Sequence, residues 1–155
     1  MRLRRLESSD ASSIAALFYE SVHGLCGGEY TPAELSAWAS DDIDPETWAE
    51  RFMDQYSLVA VDGGAVVGFG SADIPACCID MLYVSPSAAG HGMGKLLLSA
   101  LESRLCGTAH VYASDTAKGF FLHMGYRVVR DNTVIRHGVA LHNQLMEKEL
   151  CNSFS

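Results

Sequence analysis

IDMLYVSPSAAGHGMGKLLLSALESRL, residues 79–105, runs from a hydrophobic strand through a glycine-rich loop into a helix. The apolar run Ile79–Val84 predicts the strand, Ser85-Pro86 ends it, and Gly90–Lys95 holds three glycines just before an apolar-striped helix. Glycine lets the backbone approach a ligand and adopt positive φ, and the unpaired N–H groups of a first helical turn point at an anion. The stretch therefore predicts a binding site for a phosphorylated cofactor.

The spacing of the glycines excludes two nucleotide-binding classes. A Walker A loop needs a serine or threonine after its lysine, but Lys95 is followed by Leu96, so magnesium would lack its hydroxyl ligand. A dinucleotide fingerprint needs G-x-G-x-x-G opening a βαβ unit and a later acidic residue. The glycines here fall as G-x-G-x-G instead. Asp115 is the acidic residue at about the right distance, but it does not stand at the end of a βαβ unit.

The run from Val84 to Gly94, followed by an amphipathic helix, resembles the signature of the GNAT superfamily of acyl-CoA-dependent N-acyltransferases. The usual loop is [QR]-x-x-G-x-[GA], which Gly92 and Gly94 match, while Ala89 stands where glutamine or arginine is usual. In that family the loop wraps the pyrophosphate of the cofactor.

A second segment, residues 114–126 (SDTAKGFFLHMGY), is similar to the family's N-x-x-A-x-x-F-Y-x-x-x-G-F. Ser114 replaces the asparagine, Phe121 the tyrosine and Tyr126 the last phenylalanine. Shorter runs at 21–23, 30–31 and 37–38 resemble a bacterial, mostly uncharacterised subgroup of acetyltransferases.

The resemblance implies an α/β fold, with one N-acetyltransferase domain over residues 1–155 and a mixed, V-splayed sheet flanked by helices. The pantetheine arm of acetyl-CoA would lie between two parting strands. The implied cofactor contacts are Leu82, Tyr83, Val84, Ala89, Gly90, His91, Gly92, Met93, Gly94, Lys95, Ser114, Ala117, Phe120 and Phe121.

Acetyl transfer to an amine needs an oxyanion donor and a base, since the cofactor itself carries the acyl group. By resemblance the donor is a backbone N–H near Leu82. Asp80 interrupts an apolar strand, so it is the first candidate for the base, acting directly or through water. Strand alternation predicts that Asp80 shares a face with Leu82 and Val84; a structural carboxylate is the alternative role. Glu29 is the second candidate.

The general acid is where the chain departs from the family. A tyrosine commonly protonates the departing thiolate from the position of Phe121, which has no proton to donate. Tyr112 shares strand parity with Ser114 and is the predicted substitute, with Tyr83 and His123 as alternatives. A thiol has a pKa of about 8.5, so the enzyme could also work by proximity and oxyanion stabilisation alone.

The predicted acceptor contacts are His23, Glu29, Tyr30 and Trp38, in the region that walls the acceptor site in this fold. His23 could instead interact with a helix dipole, and Trp38 could belong to the core. No histidine pattern has metal-ligand spacing, so no metal is predicted. The five cysteines have no C-x-x-C spacing and predict neither disulfides nor a zinc site.

The net charge is −8, and the sequence has no stripe of basic residues to offset it. Both features argue against nucleic acid as a partner. No apolar run reaches the roughly 18 residues of a membrane span, which predicts no membrane association and a place in the cytoplasm. The expected state is a monomer, or a homodimer through the last two strands.

Over the whole chain, the pattern of hydrophobic residues and turn signals predicts the element order β-α-α-α-β-β-β-α-β-α-β-β. Ser8–Asp10 offers helix N-caps, Thr31–Glu34 is a capping box, Asp62–Gly64 is a hairpin turn, and a helix over 115–124 stops at Gly125. The central helix is expected to bury Leu96, Leu97, Ala100, Leu101 and Leu105.

Two functions follow from these features. The first is an N-acetyltransferase that moves an acetyl group from acetyl-CoA to a primary amine of a small molecule or peptide. The alternative is a non-catalytic module that binds and senses acyl-CoA, which the phenylalanine at 121 and the alanine at 89 would suit.

Overall fold

The computed structural model describes residues 2–25, 28–40 and 42–150 of the chain. The elements follow in the order β1 (Arg2–Arg5), α1 (Ala11–Leu25), α2 (Pro32–Trp38), α3 (Pro45–Met53), β2 (Tyr56–Asp62), β3 (Ala65–Asp73), β4 (Cys78–Val84), α4 (Met93–Glu102), β5 (Thr108–Ser114), α5 (Lys118–His123), β6 (Arg127–Arg136) and β7 (Val139–Glu149). None of the helices in these ranges is long and apolar enough to cross a membrane.

All seven strands form one mixed sheet in the order β1-β2-β3-β4-β5-β7-β6. Its neighbouring strands are antiparallel except β4 and β5, which are parallel. These two strands pair only at Cys78 with His110 and at Ile79 with Val111, although each has seven residues. Beyond these pairs the two strands part, which confirms the predicted V-splayed sheet.

Local sequence signals set several of the boundaries. The Thr31 side chain accepts from the Glu34 N–H while Glu34 accepts from the Thr31 N–H, so the predicted capping box forms. Gly63 and Gly64 both have positive φ, as the tight turn between β2 and β3 requires. Gly125 has a φ of 95° and ends the α5 segment, as predicted.

Three details differ from the sequence prediction. Residues 8–10 form a 3₁₀ turn before α1, and Glu7 rather than one of these residues occupies the N-cap position. The α5 helix begins only at Lys118, because the Ser114 hydroxyl accepts from the Ala117 N–H and holds a turn there. In α4, Leu98 is buried and Leu96 is 43 % exposed.

Two hydrophobic clusters cover the two faces of the sheet. Helices α1, α2 and α3 cover one face, where Phe18, Phe52 and Phe69 meet Met81 of β4. Helices α4 and α5 cover the other, where Leu97 and other apolar residues of α4 pack beside the same strand. The gap where β4 and β5 part lies in the sheet, between these two hydrophobic clusters.

An ion pair at the start of the chain ties β1 to the turn before α1. Arg4 donates to both oxygens of Asp10 at 2.8 Å, and the Glu7 N–H donates to the same carboxylate at 2.8 Å. These hydrogen bonds, those from Arg4 first, lower the pKa of Asp10.

We expect Asp10→Asn to lower the Tm by about 3–6 °C at neutral pH, because the amide cannot replace both charged hydrogen bonds. Thermal unfolding of both proteins across pH checks this. Because the pKa of Asp10 is depressed by folding, the difference should shrink as the pH falls through that pKa. Asp54→Asn removes the same charge from an exposed helix end and should leave the Tm unchanged; a shift equal to that of Asp10→Asn would contradict the prediction.

Candidate active site

The gap between β4 and β5 forms a narrow cavity of about 230 Å³, called the slot below. Its walls come from both parting strands, from Gly94 in the first turn of α4 and from α5. A Cβ at Gly94 would lie 3.3 Å from the Phe120 ring and 4.0 Å from a methyl group of Val84. A side chain at this position would crowd the Phe120 ring, and glycine leaves this part of the slot open.

A bulge in β4 sits at the mouth of the slot. Met81 pairs with Ser71 of β3 and Ile79 pairs with Ala72, so Asp80 has no partner in the ladder. The extra residue reverses the alternation: Leu82 packs with the α4 cluster, while Asp80 contacts α3 and the segment after it. The prediction that Asp80 shares a face with Leu82 and Val84 is wrong for this reason.

Beyond the bulge, the pairing of β4 with β3 leaves the N–H and C=O groups of alternate β4 residues facing the slot. The Ser85 N–H donates to the Val67 carbonyl at 2.8 Å, so in an antiparallel ladder the alternate groups of Leu82 and Val84 point away from β3. The Val84 carbonyl accepts a hydrogen bond from the Ser21 hydroxyl at 2.8 Å instead. By the same alternation the Leu82 N–H faces the slot.

The glycine loop reaches the slot through α4. Gly90 and Gly92 have φ values of 84° and 79°, and a Cβ on either would meet nothing within 4 Å. Gly92 is the N-cap of α4, whose first-turn N–H groups have no partner within the helix. Lys95 and His91 are exposed beside this turn, which can hold an anion, while the Met93 side chain is buried in the core.

A second, larger cavity of about 480 Å³ adjoins the slot on the α1–α3 side of the sheet. The two cavities share six lining residues, Trp38, Asp80, Met81, Tyr83, Tyr112 and Ser114. The far wall of the larger cavity is the hairpin of β6 and β7. A molecule in one cavity can therefore meet a molecule in the other at these shared residues.

Asp80 is held in place at this junction. The Arg51 Nη2 lies 3.1 Å from both of its oxygens, and the Gln55 side chain donates to it at 2.9 Å. The carboxylate is 29 % exposed and so remains open to solvent or to a ligand. Arg51 is fixed in turn against the Phe52 ring.

The structure places Phe121, which stands where the family has its proton-donating tyrosine, and Tyr112, the predicted substitute, in different surroundings. Phe121 is buried at one side of the slot, in edge contact with Phe120 and Tyr126. Tyr112 is 49 % exposed and lines both cavities, and its hydroxyl makes no hydrogen bond with any described residue. His123, one of the alternatives, lines neither cavity.

The predicted acceptor contacts divide into two groups. Tyr30 and Trp38 line the larger cavity and meet edge to face, at 5.3 Å between ring centroids. The other two lie outside it: His23 hydrogen-bonds the Ala39 carbonyl at 2.8 Å, and Glu29 accepts from the Thr116 hydroxyl at 3.0 Å. His23 thus joins α1 to the end of α2, and Glu29 joins the loop before α2 to the segment before α5.

The Tyr30 hydroxyl joins the helical side to the ends of β5 and β7. It donates to the His142 carbonyl at 2.9 Å and accepts from the Asp115 N–H at 2.8 Å. Asp115 and Asp131 hydrogen-bond the two ring nitrogens of His142 and raise the pKa of this imidazole, Asp115 contributing most. The charge of His142 is thus balanced by two carboxylates.

Cys78 at the start of β4 is a poor nucleophile. Burial, with a smaller contribution from Asp80, raises the pKa of its thiol to about 11. Among the residues that the structure describes, no three His, Cys, Asp or Glu side chains cluster closely enough to hold a metal ion.

Sequence reasoning missed most of the lining of the larger cavity, including Arg51, Trp48 and Arg136. Arg51 and Trp48 lie in α3, which no motif connected to the site. Arg136 belongs to an alternating row on β6 with Asn132 and Val134, and this period of two in the sequence could have placed all three on one face.

The sequence of this chain is similar to those of known acetyltransferases. Residues 26–150 match the family model described as Acetyltransferase (GNAT) domain. The chain is 32 % identical over 149 residues to the uncharacterized N-acetyltransferase YafP of Escherichia coli (strain K12), covering 94 % of each protein.

Solved structures show the same fold. A GCN5-related N-acetyltransferase from Rhodopseudomonas palustris matches with a TM-score of 0.91 and 38 % identity, over 96 % of this chain and 95 % of that one. The structure of yncA from Salmonella typhimurium with its cofactor acetyl-CoA matches with a TM-score of 0.68 and 20 % identity, over 100 % and 96 %.

Proposed function

This chain belongs to the GNAT acetyltransferase family, and we propose that it moves an acetyl group from acetyl-CoA to a primary amine by direct attack. The observation that carries the proposal is the slot between β4 and β5, which runs from the first turn of α4 to the shared wall of a second cavity. One cavity would take the pantetheine arm and the other the acceptor. The acetyl-CoA bound to yncA supports this choice of cofactor.

The glycine loop would hold the phosphates. Gly90 and Gly92 bring backbone close to the ligand, and the N–H groups of the first turn of α4 face it. Lys95 would add positive charge, which matters because the whole protein carries −8, and His91 could add a hydrogen bond. Gly94, Phe120 and Phe121 would enclose the arm in the slot.

The thioester of the bound cofactor supplies the activated acetyl group. The Leu82 N–H would donate to its carbonyl oxygen as negative charge develops there. A donor in this position is worth about 10²–10³ in rate, and a backbone N–H fixed by the ladder needs no reorganisation.

Two side chains at the junction would handle protons. Asp80, held by Arg51 and Gln55, would take the proton of the acceptor ammonium, directly or through water. Tyr112 would donate its hydroxyl proton to the departing thiolate, since Phe121 has none to give. The Tyr112 hydroxyl lies at the shared wall and has no hydrogen-bond partner within residues 2–25, 28–40 and 42–150, which supports this role.

We expect Tyr112→Phe to lower kcat by about 10–100-fold, a moderate effect because a thiolate leaves tolerably without an acid. The Kd of acetyl-CoA should not change. Release of free thiol under saturating substrates measures kcat, and calorimetry measures Kd. Tyr56→Phe removes a hydroxyl from β2, away from both cavities, and should be silent; equal kcat in both variants would remove Tyr112 from the mechanism.

A screen of primary amines for thiol release from acetyl-CoA tests the proposed function. Amine-dependent release at a rate above that of hydrolysis supports it. Tight binding of acetyl-CoA with no release for any amine would instead favour the acyl-CoA-sensing module.

A further inference from the structure

The larger cavity is positively charged inside a negatively charged protein. Its described lining contains one carboxylate, Asp80, and two guanidinium groups, Arg51 and Arg136. Arg51 is already paired with Asp80. His142 also lines the cavity, but Asp115 and Asp131 hydrogen-bond its ring, so the unbalanced positive charge of the lining is that of Arg136.

Arg136 is available to a ligand. Its guanidinium group makes no hydrogen bond, ion pair or ring contact with any described residue, and only its backbone is paired, with Val139. It ends the row of alternate residues Asn132, Val134 and Arg136, all of which line the cavity. An arginine without a partner on a cavity wall is a ready site for a carboxylate or another planar anion.

A second hydrogen-bond donor lies on the same wall. Asn143 faces Asn132 across β6 and β7, and its carbonyl oxygen accepts from the Asn132 amide at 2.9 Å. The amide NH₂ of Asn143 has no hydrogen-bond partner among the described residues and is a donor beside the cavity. Together with Arg136 it gives the hairpin wall donors for an anionic acceptor.

The opposite wall is aromatic. Phe18 stacks on Trp48 at 5.1 Å between ring centroids and meets Tyr83 edge to face at 5.0 Å, and all three line the cavity. Such a wall suits an apolar or ring-containing body. A small polyamine with several charges would find one carboxylate in the described lining, Asp80, which is already paired with Arg51.

Building on the proposed acetyl transfer, we propose that the acceptor is a primary amine with an apolar body and an anionic group at its far end, bound by Arg136. Ser114 at the junction lies opposite Asn143, and Asn143 lies opposite Asn132. From Asn132 to Arg136 the strand covers about 13 Å, so amine and anion would sit at opposite ends of the molecule.

The two tryptophans of the chain, Trp38 and Trp48, both line this cavity, so their fluorescence reports on its occupancy without any turnover. Two matched pairs of probes differ only in the anion: 4-(aminomethyl)benzoate against 4-(aminomethyl)benzamide, and the dipeptide Gly-Phe against its C-terminal amide. We expect each acid to bind about five- to ten-fold more tightly than its amide.

The variant Arg136→Gln should bring this preference to about one by weakening only the acids, and Arg136→Lys should keep part of it. Arg2→Gln removes the same charge from an exposed strand at the opposite edge of the sheet and should leave the preference intact. Since Arg136 is exposed at the end of a hairpin, its replacement should not affect folding. The kcat/KM for thiol release with each probe should follow the same order.

Several results would overturn the proposal. One is equal or tighter binding of the amides, another is no fluorescence response to either acid, and a third is a preference that survives Arg136→Gln. A titration with acetyl-CoA on the same samples tests the proposed acetyl transfer separately from the proposed acceptor class. Normal acetyl-CoA binding without a preference for acids overturns the acceptor class alone, whereas loss of acetyl-CoA binding overturns the proposed function.

Discussion

Gly92→Glu is expected to weaken acetyl-CoA binding by at least about 100-fold. Gly92 is the N-cap of α4 and has a φ of 79°, a conformation that side-chain-bearing residues rarely adopt. A glutamate there would add strain and place a carboxylate where the phosphates of the cofactor are proposed to bind. Isothermal titration of acetyl-CoA into both proteins gives the ratio of the two Kd values.

Two controls separate charge from strain. Gly92→Ala adds the strain alone, because a Cβ there meets nothing within 4 Å, and it should weaken binding far less. Gly64→Glu makes the same substitution at another glycine with positive φ, in the turn between β2 and β3, and should leave binding unchanged. Wild-type affinity in Gly92→Glu would show that the loop does not hold the phosphates.

Asp80→Asn is expected to lower kcat by about 100-fold or more at neutral pH, because the amide cannot accept a proton. The asparagine retains the size of the side chain and one oxygen for the bonds from Arg51 and Gln55, so the bulge should persist. The Kd of acetyl-CoA should stay within the error of the measurement. Steady-state thiol release with both substrates saturating gives kcat.

The pH profile distinguishes a proton acceptor from a structural carboxylate. If Asp80 is the base, the acidic limb of the kcat profile disappears in Asp80→Asn, whereas a structural role would lower kcat uniformly across pH. Asp54→Asn, the same change at an exposed helix end, should preserve both rate and profile. A kcat within about three-fold of wild type would exclude Asp80 as the base.

The sequence predicted best those parts of the fold whose signals are local. The strand, glycine loop and helix at 79–105, the capping box at Thr31 and the glycine stop at Gly125 each depend on a few adjacent residues. The parting of β4 and β5 was expected only through the family resemblance, since no local pattern encodes where two parallel strands separate.

The bulge at Asp80 shows why the candidate site was harder to predict. One extra residue in a strand moves the following side chains to the opposite face of the sheet. No residue pattern around Asp80 indicates that a bulge forms there. The partners of Asp80, Arg51 in α3 and Gln55 just after it, lie 29 and 25 residues earlier in the chain. Contacts between such distant segments follow from the tertiary fold alone.

The larger cavity has the same origin. Its aromatic wall comes from α1, α3 and β4, and its polar wall from a hairpin near the end of the chain. The sequence placed Tyr30 and Trp38 there through the resemblance but also placed His23 and Glu29 there. Those two side chains instead satisfy loop partners, a carbonyl and a hydroxyl, that only the folded chain brings to them.

The most direct test of the central claim is isothermal titration of the wild-type protein with acetyl-CoA, CoA and ATP. If the slot takes the pantetheine arm and the α4 turn the phosphates, acetyl-CoA and CoA will both bind and ATP, which has phosphates but no arm, will not. Absence of heat with acetyl-CoA, or equal binding of ATP, would contradict the account.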